Sequence, residues 1–201
     1  MNAKHKPVIY LALLHYPVYN KKGDVVTTAV TNIDVHDILR SSRTYGVQGV
    51  YFVTPIEQQQ VLVEEIIQHW RTGWGATHNP ARSEAFSIAR VSGSLEATVD
   101  DIALAHGLRP ECIVTSAKVM QNTISYTACR ERLRVGDGKP QLLLFGTGWG
   151  MTDEVVEKAE FRLPPLEPAS WAVGSKERYN HLSVRSAVAT ILDRLMGNRE
   201  E

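Results

Sequence analysis

The chain has 201 residues, with 22 Lys and Arg against 22 Asp and Glu, so its formal net charge at pH 7 is zero. This length suits one domain with a sizeable core, and 43% apolar with 22% charged residues excludes disordered and fibrous proteins. Because there is no excess positive charge, any contact with nucleic acid has to come from local basic surfaces.

Membrane and metal classes are disfavoured by the same reading. The longest apolar run, 8–14, is too short to span a bilayer, and the polar stretch after it lacks the small residues of a cleavage site. Cys112 and Cys129 are too few for a disulfide framework, and no Cys-x-x-Cys or His-Glu-x-x-His pair indicates a metal site. We therefore predict a cytoplasmic protein without a membrane segment or metal.

Apolar runs alternate with segments of helical spacing through most of the chain. The runs predict strands at 8–14, 47–54, 85–91, 111–115 and 141–145. Helices are predicted at 34–45, 56–70, 95–106 and 183–196, with Asp34 as an N-cap and Gly107 as a C-cap. Strands that are apolar on both faces lie inside parallel sheets covered by helices. The chain 1–201 is thus predicted to be a single α/β domain with a parallel sheet flanked by helices.

Two segments rich in Gly, Pro and Trp, 71–83 and 163–179, break this alternation and predict long loops. In and beside the first loop, basic side chains are interleaved with two tryptophans, in the order Trp70, Arg71, Trp74, His78 and Arg82. Such a pattern can stack bases and contact phosphates. Solvated connectors are the structural alternative for both segments. His15 shows no pattern that indicates a function.

A glycine loop, Gly146-Thr-Gly-Trp-Gly150, follows the last predicted strand. Glycines at such a place let the backbone approach a ligand, although a tight strand-to-helix turn would need them too. The spacing is not that of a dinucleotide fingerprint, and Asp153 and Glu154 at the start of the next helix would repel a pyrophosphate. A nicotinamide-dependent oxidoreductase is therefore the less favoured use of this loop.

Three segments in order resemble the C-terminal motifs of the SPOUT RNA methyltransferases: Phe145-Gly-Thr-Gly-Trp-Gly-Met151, Phe161-Arg-Leu-Pro164 and His181-Leu-Ser-Val-Arg-Ser-Ala187. The segment Asp34-Val-His-Asp-Ile-Leu-Arg40 resembles the SpoU-type helix before the second strand. The strings 13–20 and 28–32 are similar to those of a small bacterial family of SAM-dependent RNA methyltransferases. Departures from the SpoU pattern stand at Asp34, His36, Trp149 and His181, which keeps a non-catalytic SAM-binding module as the serious alternative.

The resemblance implies a fold with a C-terminal trefoil knot, a homodimer, S-adenosyl-L-methionine (SAM) as cofactor and RNA, either tRNA or rRNA, as substrate. The residues that it assigns to the cofactor are Thr115, Ser116, Phe145, Gly146, Thr147, Gly148, Trp149, Gly150, Leu163, Pro164, His181, Leu182 and Ser183. Apolar residues of the last helix, Val188, Ile191, Leu192 and Leu195, exceed one packing face and are expected in part to meet a partner subunit. The plainer alternative is a helix buried in its own subunit by the knot.

The resemblance also assigns an acceptor side to the first helix, where Arg40, Asp34 and His36 are the catalytic candidates. Arg40 would bind a phosphate or lower the pKa of an acceptor hydroxyl. The structural alternative is an exposed Asp37–Arg40 ion pair. The acceptor is a ribose 2′-hydroxyl or a base nitrogen, and the motifs do not separate the two. Lys176, Arg178 and Arg185 flank the last motif and are further candidates for RNA contact.

Overall fold

A computed structural model describes residues 7–136, 138–172 and 179–198. The strands are β1 (Ile9–Leu14), β2 (Val18–Tyr19), β3 (Val25–Val26), β4 (Gly49–Val53), β5 (Ala89–Ser92), β6 (Glu111–Val114), β7 (Gln141–Gly146) and β8 (Phe161–Arg162). The helices are α1 (Asn32–Thr44), α2 (Glu57–Arg71), α3 (Trp74–His78), α4 (Pro80–Phe86), α5 (Leu95–His106), α6 (Tyr126–Val135), α7 (Asp153–Lys158) and α8 (Val184–Met196).

The main sheet has six strands in the order β5-β4-β1-β7-β6-β8, and each neighbouring pair is parallel. β1 lies at the centre, where Leu11 is opposite Val50 of β4 on one side and Leu143 of β7 on the other. All six residues of β1 are buried, as its unbroken apolar sequence predicts. The prediction of a parallel sheet flanked by helices is confirmed; the knot stays a prediction.

Helices cover both faces of this sheet. Alternate β1 residues enter two separate cores because successive strand side chains point to opposite faces. Leu11 packs with residues of α1, α2, α4, α6 and α8, whereas Ala12 packs with residues of α5 and α7. The apolar residues of α8 (Val188, Ile191, Leu192 and Leu195) are at most 4% exposed inside the first core. The expectation that part of this set faces a partner is wrong, because the chain's own core uses all four; a homodimer stays a prediction.

Of the two predicted helix caps, Gly107 is found and Asp34 is not. Helix α5 ends at Gly107, whose φ of +69° favours glycine, as predicted. Helix α1 instead begins after Thr31, whose hydroxyl accepts a hydrogen bond from the Asp34 amide. The prediction of Asp34 as N-cap is therefore wrong, because a threonine one turn earlier already caps the helix. Asp34 lies in the first turn, where its carboxylate is available for other contacts.

The segment 71–83, predicted as a loop, contains α3 and most of α4. Its glycine is used for packing: a Cβ on Gly75 would lie 2.8 Å from Cε3 of Trp70, so the helix backbone approaches that ring closely. Asn79 caps α4 and Pro80 occupies its first turn, a helix-start pattern that the Gly and Pro content concealed. The strand predicted at 85–91 also begins late, at Ala89, because the preceding apolar residues end α4.

Two elements have no counterpart in the sequence prediction, and one predicted loop is described only in part. Helix α6 and the two-stranded β2–β3 sheet had no sequence prediction. The expected loop 163–179 has neither helix nor strand over 163–172, and 173–178 lie outside the described residues. Within the described ranges, none of the helices has the length and apolar character needed to cross a membrane. The same part of the chain holds no group of three His, Cys, Asp or Glu side chains suited to a metal.

Candidate functional site

A groove of about 760 Å³ lies where β6 and β7 reach their C-terminal ends. Three segments that are distant in sequence form its walls: 115–118 after β6, 145–150 at the end of β7, and 180–185 at the start of α8. The lining is completed by Thr28, Ala29, Asp34, Leu166, Ala187 and Ile191. Open parallel sheets bind ligands at this edge. The three loops that the resemblance assigned to a cofactor therefore meet in one cavity.

Almost all of the predicted cofactor residues line this groove. They are Thr115, Ser116, Phe145, Gly146, Thr147, Gly148, Trp149, Gly150, His181, Leu182 and Ser183. Leu163 and Pro164 do not. Leu163 is fully buried in the core, and its amide donates to the Val114 carbonyl, while the Pro164 carbonyl accepts from the Tyr126 hydroxyl. Leu166, which the sequence analysis did not select, reaches the groove from the same segment.

The glycine loop is fastened to β2 by backbone hydrogen bonds. The Trp149 amide donates to the Tyr19 carbonyl at 2.9 Å, and the Tyr19 amide donates to the Gly150 carbonyl at 2.8 Å. Gly148 has a φ of +58°, and a Cβ there would lie 2.8 Å from the same Tyr19 carbonyl. Glycine is thus required at 148 twice over, by its dihedral angle and by the close approach of β2.

Most of the loop's amide hydrogens already have acceptors inside the protein. The Thr147 amide donates to the Leu14 carbonyl, the Trp149 amide to Tyr19 and the Gly150 amide to the Thr147 carbonyl. A loop that binds phosphate has to point such amides at the ligand. This loop is therefore poorly suited to a pyrophosphate, in agreement with the acidic start of α7.

A chain of hydrogen bonds joins the end of β1 to the glycine loop. His15 Nδ1 lies 3.0 Å from Thr28 Oγ1, which lies 2.5 Å from Thr147 Oγ1, and Thr147 Oγ1 donates to the Leu14 carbonyl at 3.0 Å. Since a carbonyl can only accept, Thr147 donates its one proton there, Thr28 donates to Thr147, and His15 Nδ1 must carry the hydrogen given to Thr28. The chain of donors fixes His15 as the Nδ1–H tautomer.

Burial keeps the His15 side chain neutral near pH 7. It is 1% exposed, and burial lowers its pKa to about 4, while the nearby Asp34 carboxylate partly opposes that shift. Its Nε2 atom is buried without a hydrogen-bond partner among the described residues. An imidazole that is neutral near pH 7 suits a positioning role: it holds Thr28, and through Thr28 the loop at Thr147, against the sheet.

Asp34 brings a carboxylate to the groove, and two contacts hold it there. The Thr31 hydroxyl donates to Oδ2 at 2.5 Å, and Arg185 Nη1 of α8 lies 3.1 Å from Oδ1. Arg185 also lies 3.6 Å from Asp37. Arg185, expected to contact RNA, is therefore engaged by two carboxylates of α1, and it joins the first helix to the last motif.

The other two catalytic candidates do not line the groove. His36 packs edge-on against the rings of Trp70 and Phe86, with centroids 5.4 Å and 4.9 Å away. Arg40 is exposed on the outer surface of α1, with its guanidinium 4.0 Å from Asp37. Of the three catalytic candidates, Asp34, which lies six residues before Arg40 on α1, is the one that lines the cavity.

The groove walls combine apolar and polar groups. Phe145 and Ile191 are buried, whereas Trp149 and Leu182 are 53% and 51% exposed at the rim. Across the opening, the Asn180 side chain donates to the Ala117 carbonyl, so two of the three loops touch. Such walls fit a ligand with one flat apolar part and several polar edges.

His15 and Thr28 were missed by sequence reasoning because their role depends on Thr147, more than a hundred positions away. A signal was present in the family-like strings 13–20 and 28–32, which contain both residues. Lys176 and Arg178, proposed for RNA contact, lie outside the described residues.

Comparison with known proteins agrees with this geometry. A tRNA (guanine-N(1)-)-methyltransferase of Oleidesulfovibrio alaskensis is 41% identical over 190 residues, which cover 94% of this chain and 42% of that protein. The chain thus spans less than half the length of this relative. An uncharacterised protein of Aquifex aeolicus is 35% identical over 187 residues, covering 93% of this chain and 87% of its own length.

A solved structure with the same fold is the SpoU methyltransferase of Streptomyces viridochromogenes in complex with AdoMet. It aligns with a TM-score of 0.54 at 14% identity and covers 96% of this chain and 58% of the other. A family model for SAM-dependent RNA methyltransferases matches residues 8–197, nearly the whole chain. The ordered motifs, the parallel sheet and the groove at its carboxyl edge have the same explanation: the chain belongs to this family of SAM-dependent RNA methyltransferases.

Proposed function

We propose that the groove binds SAM and that the chain transfers its methyl group to RNA. The observation that carries the proposal is the meeting of 115–118, 145–150 and 180–185 around one cavity of about 760 Å³. That volume lies in the range of small-molecule and cofactor sites. The relative's name supports tRNA as the first substrate class to test.

The residues present fit this cofactor. Phe145, Leu166 and Leu182 offer apolar surface for an adenine ring, and the backbone at Gly146 and Gly148 allows close approach of the ribose and amino-acid part. The scarcity of amides left to meet an anion matches a molecule without phosphates. SAM supplies an electrophilic methyl group on a sulfonium; the protein's own task is to position the acceptor and manage its proton.

Asp34 is the residue we assign to the acceptor's proton. The transfer breaks the bond between sulfur and methyl, forms a bond from methyl to an acceptor oxygen or nitrogen, and releases the acceptor's proton. The Asp34 carboxylate lines the groove and can accept that proton, while Thr31 and Arg185 keep it oriented. Arg40 lies outside the cavity on the same helix, where a phosphate of the RNA could reach it.

Cofactor identity is tested by titration calorimetry with SAM, S-adenosylhomocysteine and NAD. SAM or its demethylated product should bind, and NAD should not. A lower dissociation constant for NAD than for SAM would overturn the proposal in favour of an oxidoreductase.

Activity is tested with tritiated SAM and RNA that lacks modifications, tRNA and rRNA separately. Label that enters RNA, followed by nucleoside analysis, identifies both the substrate and the acceptor, ribose or base. Asp34→Asn is the matched variant, since it keeps the shape of the side chain but removes the base; it should lower transfer at least tenfold. SAM binding without transfer to any RNA would favour a non-catalytic SAM-binding module.

We also propose that residues 1–201 act as one methyltransferase domain, in the cytoplasm, as a homodimer. The family resemblance supports these points. The burial of the apolar residues of α8 adds no support for the dimer, because it leaves no surplus apolar face for a partner. Sedimentation at micromolar concentration should give twice the mass of the chain, and a monomer would contradict the dimer.

A further inference from the structure

A second surface, outside the groove, combines an exposed aromatic ring with positive charge. It is formed by the C-terminal end of α2 with α3 and α4, and we name it the Trp74 surface, with His69, Arg71, Trp74, His78 and Arg82 as its members. Trp74 is 69% exposed even though the His78 ring is stacked on it, with centroids 4.4 Å apart and planes within 17°. Tryptophan is costly to leave in water, so such a ring marks a contact surface more often than a packing accident.

The two tryptophans of this region have different roles. Trp70 packs against the core, with the Arg82 guanidinium 4.7 Å above its ring and His36 at its edge. The Trp70 ring is thus engaged by contacts within the protein. Gly75 packs against Trp70, so the core tryptophan fixes the helix that presents Trp74. The packing of Gly75 on Trp70 thus positions α3, the helix that carries the exposed ring of Trp74.

The charge around this ring is positive despite the zero net charge of the chain. Between Glu65 and Glu84 the sequence contains no Asp or Glu, but it includes the four cationic or titratable members of the Trp74 surface. Desolvation lowers the pKa of the neighbouring His36, and Arg82 and Arg40 lower it further, while the Asp37 carboxylate partly opposes the shift. Glu84, the acidic residue of α4, forms an ion pair with Arg43, with 2.6 Å between Arg43 Nη2 and Glu84 Oε1.

A short series of contacts connects this surface to the groove. Asp34 lines the cavity, His36 follows it by two positions on α1, and His36 touches Trp70, against which Gly75 packs. These contacts join the helices that carry the Trp74 surface to α1, the helix that brings Asp34 to the groove.

Building on the proposed function, we infer that Trp74 is a stacking platform for an unpaired base of the RNA substrate, with Arg71 and Arg82 beside it for the adjoining phosphates. Exposed aromatic rings flanked by arginines suit single strands, because only an unpaired base offers a free face. Paired bases in a helix are already stacked on their neighbours. The surface therefore favours a loop or a single-stranded end over a duplex.

The test is fluorescence anisotropy with a fluorescein-labelled 12-nucleotide RNA, as a single strand and annealed to its complement. The single strand should bind more tightly. Trp74→Ala should weaken its binding about tenfold, the typical loss of one stacked base. Trp74→Phe retains a ring and should stay within about threefold of the unaltered protein. Leu104→Ala, an exposed apolar residue of α5 on the other side of the sheet, is the matched control.

Calorimetry with SAM and methyl transfer to tRNA separate this inference from the proposed function. Trp74→Ala should bind SAM normally and raise KM for the RNA. If Trp74→Ala binds the single strand as well as the unaltered protein does, the inference falls, while unchanged methyl transfer leaves the proposed function standing. Equal binding of duplex and single strand also overturns it, and so does loss of SAM binding in Trp74→Ala, which would make Trp74 a structural residue.

Discussion

The carboxylate of Asp34 and the guanidinium of Arg185 form an ion pair at 3.1 Å that joins residues 151 positions apart. Asp34 is in the first turn of α1 and Arg185 in the first turn of α8, so the pair ties the proposed acceptor side to the last cofactor motif. Because Arg185 also lies 3.6 Å from Asp37, one guanidinium contacts two carboxylates of α1.

Arg185→Ala is therefore expected to destabilise the protein. Asp34 is only 8% exposed, and removing its partner leaves a carboxylate with little water around it. Urea denaturation should show a loss of about 1–3 kcal/mol in the free energy of unfolding. Arg40→Ala is the control, because Arg40 is exposed and 4.0 Å from the same Asp37; it should cost less than about 0.5 kcal/mol. Equal losses in the two variants would contradict this account.

Gly148→Val should abolish SAM binding. The new Cβ would meet the Tyr19 carbonyl that now accepts the Trp149 amide, and the positive φ would add strain. The loop would have to leave β2, and the groove wall would move with it. Calorimetry should show no SAM binding, whereas Gly93→Ala should bind normally, since a Cβ at Gly93 finds its nearest neighbour at 3.6 Å. A Gly148→Val protein that binds SAM within threefold of normal would refute the assignment of the loop.

Arg40→Ala should lower methyl transfer at least tenfold, about 1.4 kcal/mol in the transition state, with little change in SAM affinity. The reason is position: Arg40 lies outside the groove on the helix that carries Asp34. Arg43→Ala is the matched control on the same helix, because the Arg43 charge is already neutralised by Glu84. Should Arg40→Ala weaken SAM binding as much as Gly148→Val, Arg40 belongs to the cofactor side or to the structure.

Stability should fall in mild acid because of His15. Burial lowers the pKa of His15 to about 4 in the folded protein. Between about pH 6.5 and 4 the unfolded chain therefore binds a proton at this histidine and the folded chain does not, which favours unfolding. The free energy of unfolding is unaffected by this group above pH 6.5 and falls as the pH drops toward 4, by about 3 kcal/mol in all. His15→Asn keeps a donor near the Nδ1 position without a titratable group.

The measurement is the free energy of unfolding in urea at pH 7.5 and pH 5 for both proteins. The difference between His15→Asn and the unaltered chain should shrink at pH 5. A difference that is independent of pH would mean that His15 titrates normally in the folded state.

Continuous apolar runs located β1 and β7 within one residue, since central parallel strands are buried on both faces and are apolar along most of their length. The helices at 71–86 were missed because Gly75 and Pro80 suit both a loop and a tightly packed helix start, and the ring of Trp70 decides between them. At the site, the ordered motifs predicted the three segments that line the groove. His15 could not be found in this way, because only the fold brings Thr28 and Thr147 to it.

The central position of β1 has a consequence for how the chain is made. Ile9 pairs with Gln141, so the middle of the sheet waits for more than a hundred further residues to be synthesised. The half formed by β1, β4 and β5 can pair early, because its partners are nearer in sequence. Pairings over such separations slow folding and leave strand edges exposed meanwhile. The groove needs residues 180–185, so it cannot be completed before these residues have left the ribosome.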